Sequence, residues 1–289
     1  AGVAAVAGVF AALETVGVLP ARFPSRETVF NRATLGFGWP NELGMYMALS
    51  LPFAAYVLRT AESGVERILG LAAVGGVVLG LICTFSRGSW VAAAVAPAVL
   101  LLAGERRYVL RIWAVGATAA LAFDLASGGA LTDRIAATAG DWVVVQRLGL
   151  MLTGVLMFRA NPVFGVGPGG FAENLDRFGP RIPWLWDYIG SSHNTFIEMA
   201  AETGIVGLVA FSVFVGTTFV VVLRAARRWR TDPEIDAHER FLRASVLWAF
   251  ATFLVMSQFA WSMIHGVGQL VVLVAAMGFG LHRVTGRLS

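Results

Sequence analysis

Apolar runs close to 20 residues long recur along almost the whole of this chain, and nothing else in it constrains the fold as strongly. Eight stand out: 1–19, 40–58, 68–85, 89–103, 112–129, 195–223, 244–264 and 266–281. A helix of about 20 residues crosses the ~30 Å hydrocarbon core of a bilayer and satisfies its own backbone hydrogen bonds there. The runs 68–85 and 244–264 contain no charged residue, whereas 89–103 is the shortest and holds Pro97. Only 14% of the 289 residues are charged, against about 25% in an ordinary soluble domain. A soluble multidomain enzyme is therefore set aside. The expected fold is all-α: a polytopic helical membrane bundle of about eight spans, one integral membrane domain over 1–289. The chain opens at Ala1, already apolar and without methionine, and reads as a piece of a longer membrane protein, N-terminally incomplete, rather than a signal peptide.

Loop charge gives an orientation. The segment 224–243 holds six arginines, which the positive-inside bias assigns to the cytoplasm. Alternating outward from it, 59–67, 104–111 and 282–289 also become cytoplasmic. These four stretches hold 13 of the 22 arginines in 45 residues, so bias and alternation agree on eight spans. Residues 143–158 are apolar enough for a ninth, but counting them would move the six-arginine loop outside. The expectation is instead an amphipathic helix lying on or dipping into the outer face and carrying Arg147. Residues 130–194 then form one external segment, a partly helical cap.

Under this topology three features from distant parts of the chain meet on the outer side: Arg87 between the third and fourth spans, Arg147 on the external helix, and His193 just before the sixth span. A planar guanidinium donates two parallel hydrogen bonds to a phosphate, and a histidine moves protons near neutral pH. The spacing Thr195-x-x-Glu198 fits a capping box that starts a helix at about Thr195. His193 would then stand at the positive end of the helix dipole, which favours its neutral, proton-accepting form. Each residue also has a bland reading: Arg87 as an interfacial anchor, Arg147 as solvation of a polar helix face, His193 as a loop or capping residue. Glu198 reads as a capping residue, Glu202 as an interhelical hydrogen-bonding partner, and His265 as structural. His238 and His282 fall in cytoplasmic segments.

Several chemistries find no residues. All 22 basic side chains are arginine, which removes the P-loop and kinase lysines and Schiff-base chemistry. The single cysteine, Cys83, excludes an internal disulfide and a cysteine metal cluster. The glycine-rich stretch 164–171 (FGVGPGGF) follows no βαβ pattern and reads as a turn. Asp133, Asp141, Glu173, Asp176 and Asp187 are scattered and form no Asp-x-Asp pair, so no metal and no cofactor is expected. Trp142, Trp184, Trp186 and Tyr188 fit an interfacial belt or stacking on a sugar. No nucleic-acid partner is expected.

Four stretches resemble the O-antigen ligase and polymerase family, multispanning enzymes of bacterial surface polysaccharide assembly. They are GFGWPNELGMYMALSLP (36–52), TFSRGSWVA (84–92), QRLGLMLTGVLMFRANPVFGVGPGGF (146–171) and SSHNTFIEMAAETGIVGLVAF (191–211), in the family's order over about 30–225. The resemblance implies a glycan donor held by a polyprenyl diphosphate in the outer leaflet of the cytoplasmic (inner) membrane. The glycan would pass to an acceptor hydroxyl on a glycan, lipid or other molecule, without metal and with inversion at the anomeric centre. By position Arg87 and Arg147 would bind the diphosphate, and His193 would be the general base. Asn41 and Asn194 match family positions as substrate-binding residues, though helix-end hydrogen bonding accounts for them comparably. A ligase and a polymerase share every one of these motifs. The reading from another class, a transporter or flippase of an anionic lipid, would need charges lining a path through the spans. Only Glu14 and Asp124 lie within spans away from an end, neither with an obvious partner.

Overall fold

The computed structural model describes residues 1–21, 23–24, 31–138, 142–179, 190–230, 232–261 and 267–284. Each of the eight apolar runs is helical over most of its length: α1 (Gly2–Thr15), α2 (Pro40–Arg59), α3 (Gly64–Cys83), α4 (Arg87–Val95), α5 (Arg106–Ala126), α10 (Thr195–Arg227), α11 (Ala237–Met256) and α12 (Val267–Val284). Four more helices stand between α5 and α10: α6 (Ala130–Ala136), α7 (Trp142–Ala160), α8 (Gly170–Glu173) and α9 (Leu175–Phe178). A small antiparallel pair, β1 (Phe23–Pro24) and β2 (Asn31–Arg32), sets Phe23 opposite Arg32. Where Pro97 removes a backbone donor, α4 tightens into a 3-10 turn over Ala96–Leu101.

By length and composition α3, α5, α7 and α10 can cross a membrane, while α1, Arg87–Leu101 and Gly268–Leu281 are apolar but shorter. The chain is thus a helical integral membrane protein. It divides into two compact units, one of Ala1–Ala136, Thr218–Val255 and His265–Ser289, the other of Ala137–Thr217 and Met256–Ile264.

The first unit is built on close helix approach. A Cβ on Gly8 of α1 would lie 1.7 Å from the Gly76 carbonyl oxygen of α3, and one on Gly80 would lie 2.8 Å from the Gly8 Cα. Gly76 and Gly80 are four residues apart, the spacing that lets spanning helices meet backbone to backbone where lipid gives no hydrophobic drive. Leu43, Met47, Val77 and Leu81 fill the core beside them. The two carboxylates expected to lack partners have them. Glu14, buried, accepts from the Thr34 and Leu35 amides at 3.0 Å each and from the Thr34 hydroxyl at 3.1 Å. Asp124 accepts from the Leu131 and Thr132 amides at 2.8 and 3.0 Å and from the Thr132 hydroxyl at 2.6 Å. Both partners are far along the chain or beyond a turn, so helix periodicity alone could not pair them.

The second unit centres on Leu150 and Met157 of α7, Phe171 of α8, Leu175 and Phe178 of α9, and Ala201 of α10. One face of α7 is turned inward: Gln146, Gly149, Thr153 and Gly154 are buried. Its exposed stripe is Val144, Val145, Leu148, Leu152 and Val155. Apolar residues outside and small or polar ones inside suit a helix whose outer surface meets acyl chains.

α10 is broken at Gly204, where φ is 62° and ψ is −161°. The break frees backbone groups, and the segment 162–167 takes them up. Val166 and Gly167 donate to the Ala201 and Glu202 carbonyls at 2.9 Å each, while Ile205 and Val206 donate to the Pro162 and Val163 carbonyls at 2.8 and 3.4 Å. The glycine-rich stretch is a turn, as read from the sequence, and its role is to satisfy an interrupted helix.

Candidate functional site

In the first unit, Asn41 is the second residue of α2 and Arg87 the first of α4. α3 ends at Cys83, and Phe85 adopts the left-handed region at φ 47°. Ser86 follows as the N-cap of α4. Asn41 Oδ1 accepts from Ser86 Oγ at 2.9 Å and from Arg32 Nη2 at 3.4 Å, and Ser86 Oγ meets Ser89 Oγ at 2.9 Å. Two further arginines hold the backbone of this turn. Arg32 Nε donates to the Thr84 carbonyl at 3.2 Å, and the buried Arg134 of α6 donates from Nε to the Phe85 carbonyl at 3.3 Å. Neither was singled out in the sequence. Arg134 lies 49 residues from its carbonyl, and no local pattern marks it.

In the second unit, Arg147 sits near the start of α7 and His193 in the turn that leads into α10, both part-buried. His193 holds a left-handed φ of 54°, costly for a residue with a Cβ. Three successive amides of this turn end on side-chain oxygens. Ser192 N–H donates to Glu198, His193 N–H to Ser191 Oγ at 3.2 Å, and Asn194 N–H to Ser192 Oγ at 3.3 Å. The helix starts at Thr195 as expected, but the capping residue is Asn194. Its Oδ1 accepts from the Phe196 and Ile197 amides at 3.0 and 3.1 Å. Thr195 turns elsewhere, donating from its amide to the Ser257 carbonyl at 2.8 Å and from Oγ1 to the Ala260 carbonyl at 2.9 Å. Glu198 reaches past the cap to Ser192. Glu202 accepts from the Phe171 amide at 3.1 Å, so its partner is the backbone of α8 rather than another spanning helix.

Burial, and after it the nearby Arg147 guanidinium, pull the His193 imidazole down from its ordinary 6.5 to about 4. Both causes favour the neutral ring at pH 7. Among the described residues its buried Nε2 has no hydrogen-bond partner. A neutral, desolvated imidazole with an open nitrogen beside a guanidinium can take a proton from a hydroxyl while the cation holds an anionic group.

Arg147 and His193 thus stand together in one unit, with Asn194 as a cap beside them, while in the other Asn41 bonds Ser86, the residue before Arg87. No group of three His, Cys, Asp or Glu side chains gathers among the described residues. Asp141, Trp184, Trp186, Asp187, Tyr188 and His265 lie outside the described residues, as does the side chain of His282. Trp142 is exposed at the start of α7, and His238 meets Glu62 at 3.2 Å.

Residues 71–212 match the O-antigen ligase family. Arg87, Arg147, His193 and Asn194 fall inside that match, and Asn41 precedes it. The chain is also 32% identical over 218 residues to the exopolysaccharide production protein ExoQ of Rhizobium meliloti (strain 1021), across 68% of this chain and 48% of the relative. It therefore spans about half the length of the curated relative it matches. Over residues 71–212, the chain belongs to the O-antigen ligase family.

Proposed function

We propose that this protein is a glycosyltransferase of the ligase type, acting on the outer, periplasmic face of the bacterial inner membrane through about eight spans. It moves a glycan from a polyprenyl-diphosphate carrier to an acceptor hydroxyl. The observation that carries this reading is the buried neutral His193, its Nε2 open among the described residues, beside Arg147. His193 removes the proton from the acceptor hydroxyl, and the oxygen forms a bond to the anomeric carbon from the face opposite the carrier. The bond from that carbon to the diphosphate oxygen breaks, and its electron pair leaves with the diphosphate. Attack from the opposite face inverts the anomeric centre. Arg147 and Arg87 bind the diphosphate and offset the charge that grows on it, which no proton transfer need then neutralise.

In this topology α7 lies in the outer leaflet, its valine and leucine stripe among acyl chains and its Gln146 side toward the protein. The partners given to Glu14 and Asp124 weaken the transporter reading, since neither carboxylate is left to line a path. The family resemblance supports a polymerase, joining repeat units on the same carrier, as the alternative. The test supplies the full-length protein in detergent with a polyprenyl-diphosphate-linked glycan and a panel of hydroxyl acceptors, in the presence of EDTA. Transfer to a foreign acceptor supports the ligase, and a ladder of lengthened donor supports the polymerase. No product, together with movement of the lipid between leaflets of a vesicle, would overturn both.

A further inference from the structure

Three non-glycine residues adopt a left-handed backbone among the described residues: Leu35, Phe85 and His193. In each case a buried acidic or basic side chain from another element bonds the backbone at or next to the strained residue. Glu14 takes the Leu35 amide, Arg134 donates to the Phe85 carbonyl, and Glu198 takes the amide of Ser192, which precedes His193. The recurrence at His193 matters most, because that residue bears the proposed chemistry.

We propose that Glu198 is a positioning residue for His193, its carboxylate fixing the turn that presents the imidazole. The inference rests on the reading of His193 as the general base. Glu198 is 2% exposed and one turn into α10. The bonds from His193 to Ser191 and from Asn194 to Ser192 are internal to the turn and travel with it. Asn194 caps the helix but sits after the histidine. Glu198 ties the residue before the histidine to the helix after it. Removing that tie lets the left-handed residue relax toward ordinary backbone and swings the ring away from the acceptor oxygen. The Ser192 amide asks of Glu198 only an acceptor oxygen at the right reach, not a charge.

Two conservative variants separate reach from charge. Glu198→Gln keeps an oxygen at the same distance and loses the charge, whereas Glu198→Asp keeps the charge and is one methylene too short. In transfer assays on the full-length protein, with the polyprenyl-diphosphate-linked glycan as donor, Glu198→Asp should lower kcat by about 100-fold, the order of loss that an ångström of misplacement causes, with donor KM unchanged. Glu198→Gln should stay within about threefold of wild type, as the amide oxygen accepts from Ser192 in the carboxylate's place. A second readout needs no substrate: carbethoxylation of His193 by diethylpyrocarbonate, followed by mass spectrometry. Its rate should change in the Asp variant and stay at the wild-type value in the Gln variant.

Asp retaining transfer while Gln loses it would overturn the proposal in favour of a role for the charge. Both variants losing transfer alike, or both keeping it, would overturn it as well. His193→Ala, assayed in parallel, keeps the two claims apart. Full transfer by His193→Ala removes the general-base reading whatever Glu198 does. An inactive His193→Ala with the wrong Gln and Asp pattern removes the positioning role alone.

Discussion

His193 couples its protonation to both stability and rate, and the sign of each follows from a pKa pulled down to about 4. In the unfolded chain the imidazole takes its proton near pH 6.5, in the fold only near 4, so between these values the unfolded state binds more protons. Stability is thus full above about pH 6.5 and falls with pH until about 4, by about 3 kcal/mol at most. Thermal unfolding in detergent should show His193→Gln losing less of its Tm between pH 7 and 4.5 than wild type does. For the reaction, kcat/KM reports the free enzyme, so it should stay flat from pH 8 to 5 and fall only near 4. A limb near 6.5 would mean that the working ring is not the buried one. Arg147→Lys keeps the charge and loses the fork, and donor KM should rise about tenfold or more, measured by titrating the donor at fixed acceptor. At this scale the sequence was informative about residue type and poor about partners. His193, Arg147 and Arg87 could be read as candidates because a titrating ring and guanidinium groups stand in or beside apolar runs. Arg134 and the Ser192 partner of Glu198 could not, because a carbonyl 49 residues away and an amide outside the helix leave no spacing to read.

Among the elements, α10 carries the strongest local constraint. A Cβ at Gly204 would lie 2.3 Å from the Val163 backbone carbon, at a φ of +62°, and one at Gly165 would lie 2.3 Å from the Glu202 backbone carbon, at a φ of +70°. Backbone strain and overlap with main-chain atoms act together there, so Gly204→Ala should destabilise the second unit by about 3 kcal/mol. Gly216 offers the control: it lies in the same helix with nothing within 4 Å of an added Cβ. Gly216→Ala should leave thermal unfolding unchanged or raise it slightly, since alanine is the better helix former. The glycines of 164–171 and Gly204 were visible in the sequence as separate motifs. Their mutual dependence was not, since the exchanged bonds join main chain to main chain and any side chain pattern is silent about them. For α7 the sequence showed an amphipathic helix but not what its inner face meets: Gly154 lets that face sink against Ile197 and Phe171, leaving the valines and leucines outside.

At the scale of the whole molecule, helix existence followed almost directly from the apolar runs, and helix length did not decide which of them cross. α2 and α11 are each 20 residues long, yet their charged ends keep them out of the set that is long and apolar enough by composition, while the 19-residue α7 is in it. A 19-residue helix is about 28 Å long, close to the ~30 Å hydrocarbon core, so length permits α7 to cross. Charge argues otherwise: with α7 crossing, the six-arginine loop and the arginines at 59–67 and 104–111 would stand on opposite sides. The proposed arrangement, α7 in the outer leaflet, therefore predicts that the turns on both its flanks face outward. Single cysteines at Leu125 and at Phe164 test this in intact cells with a membrane-impermeant maleimide, since Cys83 is buried and both positions are exposed. Labelling of both from outside is expected, with a cysteine at Glu234, in the arginine loop, reacting only after the membrane is opened. Outside labelling at one site and not the other would make α7 a ninth crossing, which would put the six-arginine loop on the opposite side from 59–67 and 104–111, and the outer-leaflet arrangement would have to be given up.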